Sequence, residues 1–381
     1  MFFYLQYEMK GVKNVIQLQS LNKRYSDGIQ AVRDLSLEVD EGEICILIGP
    51  SGCGKTTTLM MINRLIDKTS GDILIHDQSI YDKDPTQLRR DIGYVIQEIA
   101  LFPHMTVEEN VEIIPALKGW SDRKKKQRVY ELLNLIGLDP EVYKDKYPHE
   151  ISGGQKQRIG VARAMGGDPP IMLMDEPFGA IDPITRSRLQ DEFLSIQEKV
   201  EKTIIFVTHD INEALKMGDK LAIMREGELV QFGSPREILS EPANSFVEDF
   251  IGTDRSLKWL RLVRVEEYMI KDIEVVTGKE SSGKILQKMK EMQRDDLMVV
   301  DKNNRLKGYL LKRDINSKKG QAVEELIRPF RENVERKTTI LDAFVRLTTA
   351  ETDFLPVLDN NMRVEGLITG KILKEQINKA N

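Results

Sequence analysis

Short apolar runs that end in polar clusters recur through the first two thirds of the chain. Glu43–Ile48 is one such run and ends in a glycine-rich turn. Ile171–Met174 ends in Asp175 and Glu176, and Thr203–Val207, rich in β-branched residues, ends in Thr208 and His209. Runs of this length, bounded by polar or turn residues, predict strands buried on both faces of a parallel sheet. Lys55–Ile66 follows the first run with helical character. Strand and helix patterns alternate from about Val15 to Val230, which predicts an α/β fold. In such sheets ligands lie beyond the carboxyl ends of the strands. Three polar clusters at three such ends therefore point to one shared site.

From Met105 to Met165 the alternation gives way to mostly helical pattern. Lys124–Leu135, for example, combines a basic face with leucines at helical spacing. We read this stretch as a helical insertion into the α/β core. Ile251–Arg261 carries little pattern and reads as a linker or a terminal helix. Beyond it lies an internal repeat. Shifted by 58 positions without a gap, Val276 falls on Val334, Asp295 on Asp353, Leu297 on Leu355, Asp301 on Asp359, Arg305 on Arg363 and Gly308 on Gly366. The shared form is an apolar strand, an Asp-Asn turn, an apolar-Gly-apolar strand and a helix. Agreement of turn, glycine and strand positions at one offset marks a duplication.

Composition narrows the function classes. No apolar run approaches the roughly 18–20 residues that cross a bilayer. Met1–Tyr7 is apolar but short, without the basic start or cleavage site of a signal peptide. A membrane process served by this chain would need spans from other chains. The net charge of −5, from 61 acidic and 56 basic residues, gives no sign of a nucleic-acid partner. Two cysteines, Cys45 and Cys53, make no disulfide framework and suit a reducing cytosol. The four histidines, His76, His104, His149 and His209, are not at zinc-site spacing.

The turn after the first strand reads Gly49-Pro50-Ser51-Gly52-Cys53-Gly54-Lys55-Thr56, the phosphate-loop pattern G-x-x-x-x-G-K-[ST]. Glycines let the backbone curl so that several N–H groups face one anion, and the helix starting near Lys55 adds its positive end. Lys55 can reach terminal phosphates and the Thr56 hydroxyl can ligate Mg²⁺; Thr57 adds a further polar group. A plain strand-to-helix turn is the simpler alternative, but the strand before and the helix after are what phosphate binding requires. Asp175, at another strand end, is placed to hold Mg²⁺ directly or through water, and Glu176 to polarise the attacking water as general base.

With these motifs the chain resembles the ABC ATPase family. Ile151-Ser152-Gly153-Gly154-Gln155 resembles the family's signature sequence, with Ile151 where Leu is usual, and lies about twenty residues ahead of Asp175. Tyr25 resembles the aromatic that stacks on adenine, and Gln97 the glutamine that touches Mg²⁺ and links to the transmembrane partner. Asp182, in Gly179-Ala-Ile-Asp182, resembles the loop that crosses the dimer interface, and His209 the switch histidine at the γ-phosphate. The resemblance implies a P-loop ATPase domain over 14–250 with a helical subdomain at about 98–166. It implies a homodimer closing head to tail on two ATP molecules, each between the phosphate loop of one copy and Ser152–Gln155 of the other. Catalysis would rest on Glu176, His209, Lys55 and Gln97, and metal binding on Thr56, Gln97 and Asp175. Closure would be passed to permease subunits through the groove near Gln97–Met105.

Ile92–Thr106 and Asp175–Arg186, with Gly52–Thr58 and Met61–Leu65, look like the ATPases of osmoprotectant importers for glycine betaine, carnitine or choline. That resemblance implies a peripheral subunit on the cytoplasmic face of the membrane, working with transmembrane permeases and an extracytoplasmic solute-binding protein. Importers of another small solute are the alternative. A soluble ABC ATPase acting on DNA or the ribosome would usually carry two ATPase domains or a long coiled coil, and this chain has neither.

The repeat resembles a tandem CBS pair of α+β type, placed at 263–318 and 319–381 after a linker at 251–262. Such pairs offer clefts for adenine-type ligands; a cyclic dinucleotide at the pair is a further option, and a ligand-free dimerisation module is the plain alternative. The usual cleft motif has Ser or Thr three residues after the glycine and Asp three further on. Gly308 is followed by Leu311 and Asp314, and Gly366 by Thr369 and Ile372. Neither copy holds both groups. On the pattern alone, Thr369 is placed for a phosphate and Asp314 for a ribose.

Overall fold

The computed structural model describes residues 14–96, 101–179, 181–317 and 321–379. The chain divides into two compact units between Ile251 and Gly252. In the first, a six-stranded sheet runs in the order Glu228–Gly233, Lys220–Arg225, Ile44–Ile48, Thr203–Thr208, Ile171–Asp175, Ile92–Val95. Every pairing is parallel except that between Glu228–Gly233 and Lys220–Arg225. The three sequence-predicted strands are its centre, and all their residues are buried, as expected for strands covered on both faces. Register fixes the site. Ile48 pairs with Thr208, and Asp175 with Val207, so the ends that carry the phosphate loop, Asp175 and His209 stand level at one edge.

A second, antiparallel sheet is formed by Gln30–Asp40, Asn14–Arg24, Ser70–Ile75 and Gln78–Ser79. Its apolar residues, among them Ile16, Leu18, Leu35 and Ile73, share a core with Leu47, Leu59 and Leu173. The predicted insertion is helical: Val107–Leu117, Asp122–Leu135 and Gly153–Met165 are its longer helices. The helix after the phosphate loop is shorter than its pattern suggests. It ends at Ile62, because Asn63 leaves helical geometry and Arg64 turns left-handed at φ 47°.

In the second unit the duplication is reproduced to the residue. Val276 pairs in parallel with Val299, and Val334 with Val357. Val299 faces Gly308 across an antiparallel ladder as Val357 faces Gly366, and a register shift follows each. The Asp301 carboxylate accepts from the Asn303 and Arg305 amides, and Asp359 accepts from Asn361 and Arg363, in matching turns. Each half reaches across the other. Ile270 of the first copy exchanges backbone hydrogen bonds with Leu367 of the second, and Arg328 of the second does so with Tyr309 of the first. This crossing explains the repeated glycine. A Cβ on Gly308 would lie 2.1 Å from the Arg328 carbonyl, and one on Gly366 2.5 Å from that of Ile270. The stretch Ile251–Arg261, read as a linker or a terminal helix, begins at the end of the helix Ser245–Ile251 and carries most of the helix Arg255–Leu262.

Candidate functional site

The phosphate loop is built by close backbone approach. A Cβ on Gly49 would stand 2.1 Å from the Met224 carbonyl, and one on Gly54, at φ 100°, 2.3 Å from that of Ala31. The neighbouring strands thus fix the curl at both ends, and only glycine fits. Lys55 is buried and folds back, its ammonium donating to the carbonyls of Gly49 at 2.7 Å and Pro50 at 3.0 Å. Cys53 Sγ lies 3.7 Å from the same nitrogen; burial raises its thiol pKa, so it stays protonated.

Thr56 Oγ1 donates to Asp175 Oδ1 at 3.1 Å. Asp175 is buried, and desolvation chiefly, with the Glu176 charge also contributing, raises its carboxyl above the ordinary range against the Thr56 hydrogen bond and Lys55. The chain turns sharply after it. Glu176 has φ 43° and its amide donates to the Val207 carbonyl at 3.0 Å. Left-handed backbone at a non-glycine residue is strain, and it is held here by the sheet edge. It brings Glu176 Oε1 to 3.1 Å from His209 Nδ1.

A second cluster forms around Ser152. Ser152 caps the helix Gly153–Met165 in a reciprocal box with Gln155, whose side-chain amide also donates to the Tyr143 hydroxyl at 2.9 Å. Residues 152–155 line a cavity of about 450 Å³ together with Ile181, Asp182 and Thr185. Asp182 accepts from the Thr185 amide at 3.0 Å, which holds its carboxyl below the usual range and starts the helix Pro183–Val200. The predicted residues therefore fall into two groups. Lys55, Thr56, Asp175, Glu176 and His209 stand at the sheet edge, and Ser152–Gln155 with Asp182 form the other group. Tyr25 is exposed in a hairpin turn where its amide bonds Ile29, with Lys23 over its ring. Gln97 lies outside the described residues.

Two buried polar groups near these segments left no mark in the sequence. Buried Glu213 accepts from Gln190 Nε2 at 2.9 Å; desolvation raises its carboxyl, and hydrogen bonds from Thr208 and Gln190 pull the other way. Buried Asn110 accepts from the Phe102 amide and donates to the carbonyls of Phe102, Met105 and Thr106. In the repeat unit the two clefts differ. Thr369, Arg294, Asp296, Asp353 and Lys371 line a cavity of about 650 Å³. In the other, Asp314 is not free for a ribose, because Arg328 grips it through two bonds of 2.7 and 3.0 Å and also approaches Glu351. Glu213 stands beside Asn212 and Lys216 in Ile211–Met217 and its partner is distant in sequence, so the sequence carried no signal for it.

The family model described as ABC transporter matches residues 32–179, and that described as CBS domain matches 265–318. The glycine betaine/carnitine/choline transport ATP-binding protein OpuCA of Bacillus subtilis is 45% identical over 93% of this chain and 94% of its own length. The carnitine transport ATP-binding protein OpuCA of Listeria monocytogenes is 46% identical over 93% and 90%. A dimeric ATP-binding cassette solved in a post-hydrolysis state with ADP and Pi is similar at TM-score 0.52 and 35% identity, covering 58% of this chain and 99% of that one. The chain thus belongs to the osmoprotectant-importer family of ABC transporter ATP-binding subunits, ATP-hydrolysing proteins coupled to transport, with a CBS region following the ATPase.

Proposed function

We propose that this chain hydrolyses ATP to power uptake of a quaternary amine (glycine betaine, carnitine or choline) through permease subunits fed by a solute-binding protein. The observation that carries the catalytic reading is the Glu176–His209 contact of 3.1 Å beside the Thr56–Asp175 contact of 3.1 Å, at the mouth of the phosphate loop. Similarity to the transport proteins along nearly the whole chain supports the solute class. No helix among the described residues is long and apolar enough to cross a membrane, so coupling requires partner chains. We place the subunit at the cytoplasmic face of the membrane, as a homodimer.

In this reading the loop amides and Lys55 cradle the phosphates, and Lys55 exchanges its carbonyl partners for phosphate oxygens. Glu176 orients and deprotonates the attacking water, while His209 contacts the γ-phosphate and steadies the Glu176 carboxylate. Mg²⁺ fits the oxygen donors of Thr56 and Asp175, which are hard ligands of the kind it prefers, and when bound it neutralises phosphate charge. Tyr25 stacks on adenine. Ser152–Gln155 and Asp182 close on the ATP of the second copy. The Thr369 cleft takes a regulatory ligand, adenine-type or cyclic dinucleotide, whereas the Asp314 cleft is filled by Arg328.

Glu176→Gln tests the centre of this reading. The variant is expected to bind ATP, to lose hydrolysis and to accumulate as a stable dimer; normal turnover refutes the assignment. Uptake of labelled glycine betaine, carnitine and choline by cells with and without the chain tests the solute. Loss of one identifies it, and no change in any points to an importer of another solute.

A further inference from the structure

The helix Pro183–Val200 has two faces with different duties. Thr185, Arg188 and Leu189 line the cavity beside Ser152–Gly154. Gln190, on the other side, is buried against the helix Ile211–Met217 that follows the His209 turn, where its amide meets Glu213 at 2.9 Å. The Thr208 hydroxyl faces the Glu213 carboxyl and favours its ionised form, Thr208 Oγ1 accepts the Asp210 amide at 3.1 Å, and Asp210 Oδ1 accepts the Glu213 amide at 3.4 Å. The two residues flanking His209 are thereby tied to one buried carboxyl. A second tie runs beside it. Arg186 donates to the Ile181 carbonyl at 2.8 Å, and its guanidinium lies 3.8 Å from the Asp210 carboxylate.

A buried carboxyl is an expensive way to join two helices. Apolar contact does it at lower cost, and the same helix already buries Ala214 and Leu215. What a fully bonded polar bridge adds is a single relative position, because hydrogen bonds tolerate little displacement whereas apolar surfaces slide. We propose that Glu213 is a positioning residue that locks the His209 turn to the helix Pro183–Val200, so that the wall of the Ser152 cavity and the His209–Glu176 contact move as one piece. A change at the cavity is thereby delivered to the group that steadies the general base. The inference rests on the proposed roles of Glu176 and His209. Displacement of a reacting group by about 1 Å costs on the order of 100-fold in rate.

The test is steady-state ATP hydrolysis by the full chain. Glu213→Leu, similar in size but unable to bond Gln190 or Thr208, is expected to lower kcat about 10- to 100-fold with KM for ATP within about twofold. Glu213→Gln restores kcat, since its carbonyl still accepts from Gln190 and its amide donates to Thr208 Oγ1. Should Glu213→Leu fail to fold, Gln190→Leu and Thr208→Val carry the same kcat-against-KM readout. Wild-type kcat in the leucine variant, or a glutamine variant as impaired as the leucine one, overturns the proposal. Glu176→Gln runs alongside. If it still hydrolyses ATP, the reading of the site fails and this inference with it. If it is silent while Glu213→Leu turns over normally, only this inference fails.

Discussion

Gly308→Ala perturbs the crossing of the two CBS halves at one atom. The new methyl group would sit 2.1 Å from the Arg328 carbonyl oxygen and 2.7 Å from Ile327 Cγ2, at φ 154°. An ordinary carbon–oxygen contact is more than 1 Å longer, so the Arg328 segment must retreat. That retreat breaks the reciprocal backbone pair, Tyr309 amide to Arg328 carbonyl at 2.8 Å and Arg328 amide to Tyr309 carbonyl at 2.9 Å. Two such bonds contribute about 1 kcal/mol each, and overpacking adds about 1–3 kcal/mol. The expected loss is therefore about 3–5 kcal/mol from the C-terminal unit. Native domains hold about 5–15 kcal/mol in all, so that unit should unfold well before the ATPase. Denaturant melting of the full chain, followed at the single tryptophan of each unit, Trp120 and Trp259, is expected to show an early transition at Trp259 with that at Trp120 unmoved. Gly366→Ala, facing the Ile270 carbonyl at 2.5 Å, should behave alike. A Trp259 transition that shifts by less than about 1 kcal/mol would refute the steric account of the repeated glycine.

Asp175 predicts a pH dependence. Burial raises its carboxyl pKa in the folded protein, so its contribution to stability is full below the unfolded value and is lost as pH rises through the raised one. Mg²⁺ needs the ionised carboxylate, so the affinity for Mg²⁺-ATP is expected to fall on acidification, through a midpoint above the ordinary aspartate range. Asp175→Asn should bind Mg²⁺-ATP weakly with a flatter profile, and equal slopes by calorimetric titration would count against the assignment. Asn110→Leu should strip four bonds from the loop at Phe102–Thr106, destabilising the ATPase unit by about 2–4 kcal/mol. Hydrogen exchange at the Phe102 amide, which Asn110 accepts, is expected to rise, and uptake to fall more than ATP hydrolysis; unchanged exchange would show that Asn110 does not hold the loop.

What was legible in the sequence was chemistry carried by neighbours along the chain. Gly49–Thr56 must be contiguous to curl around an anion, Asp175 and Glu176 follow one strand, and Ser152 reaches Gln155 within one helical turn. Parallel register then sets the first two of these segments level without any further instruction from single residues. Bonds made across the fold left no such trace. Gln190 and Glu213 belong to different helices, and each by itself reads as an ordinary polar helix position. Asn110 reads the same way, although its side chain shapes a loop eight residues earlier.

The repeat shows the same limit at higher resolution. Duplication fixes the backbone of both halves so closely that strand partners, turns and glycines coincide, and all of that was visible as one offset. Two clefts follow from the symmetry, but their contents do not, because they depend on the few positions where the copies diverge. Ile270 corresponds to Arg328, and Ile372 to Asp314. In one half the two isoleucines leave a cavity of about 650 Å³ with Thr369 on its wall. In the other, a guanidinium meets a carboxylate at 2.7 Å, and Leu311 replaces the threonine. The missing Ser or Thr and the bound Asp are therefore one fact rather than two. With Leu311 where the other copy has Thr369, and Asp314 paired to Arg328 from the segment that crosses it, this cleft presents neither a hydroxyl nor an unpaired carboxylate at these two positions.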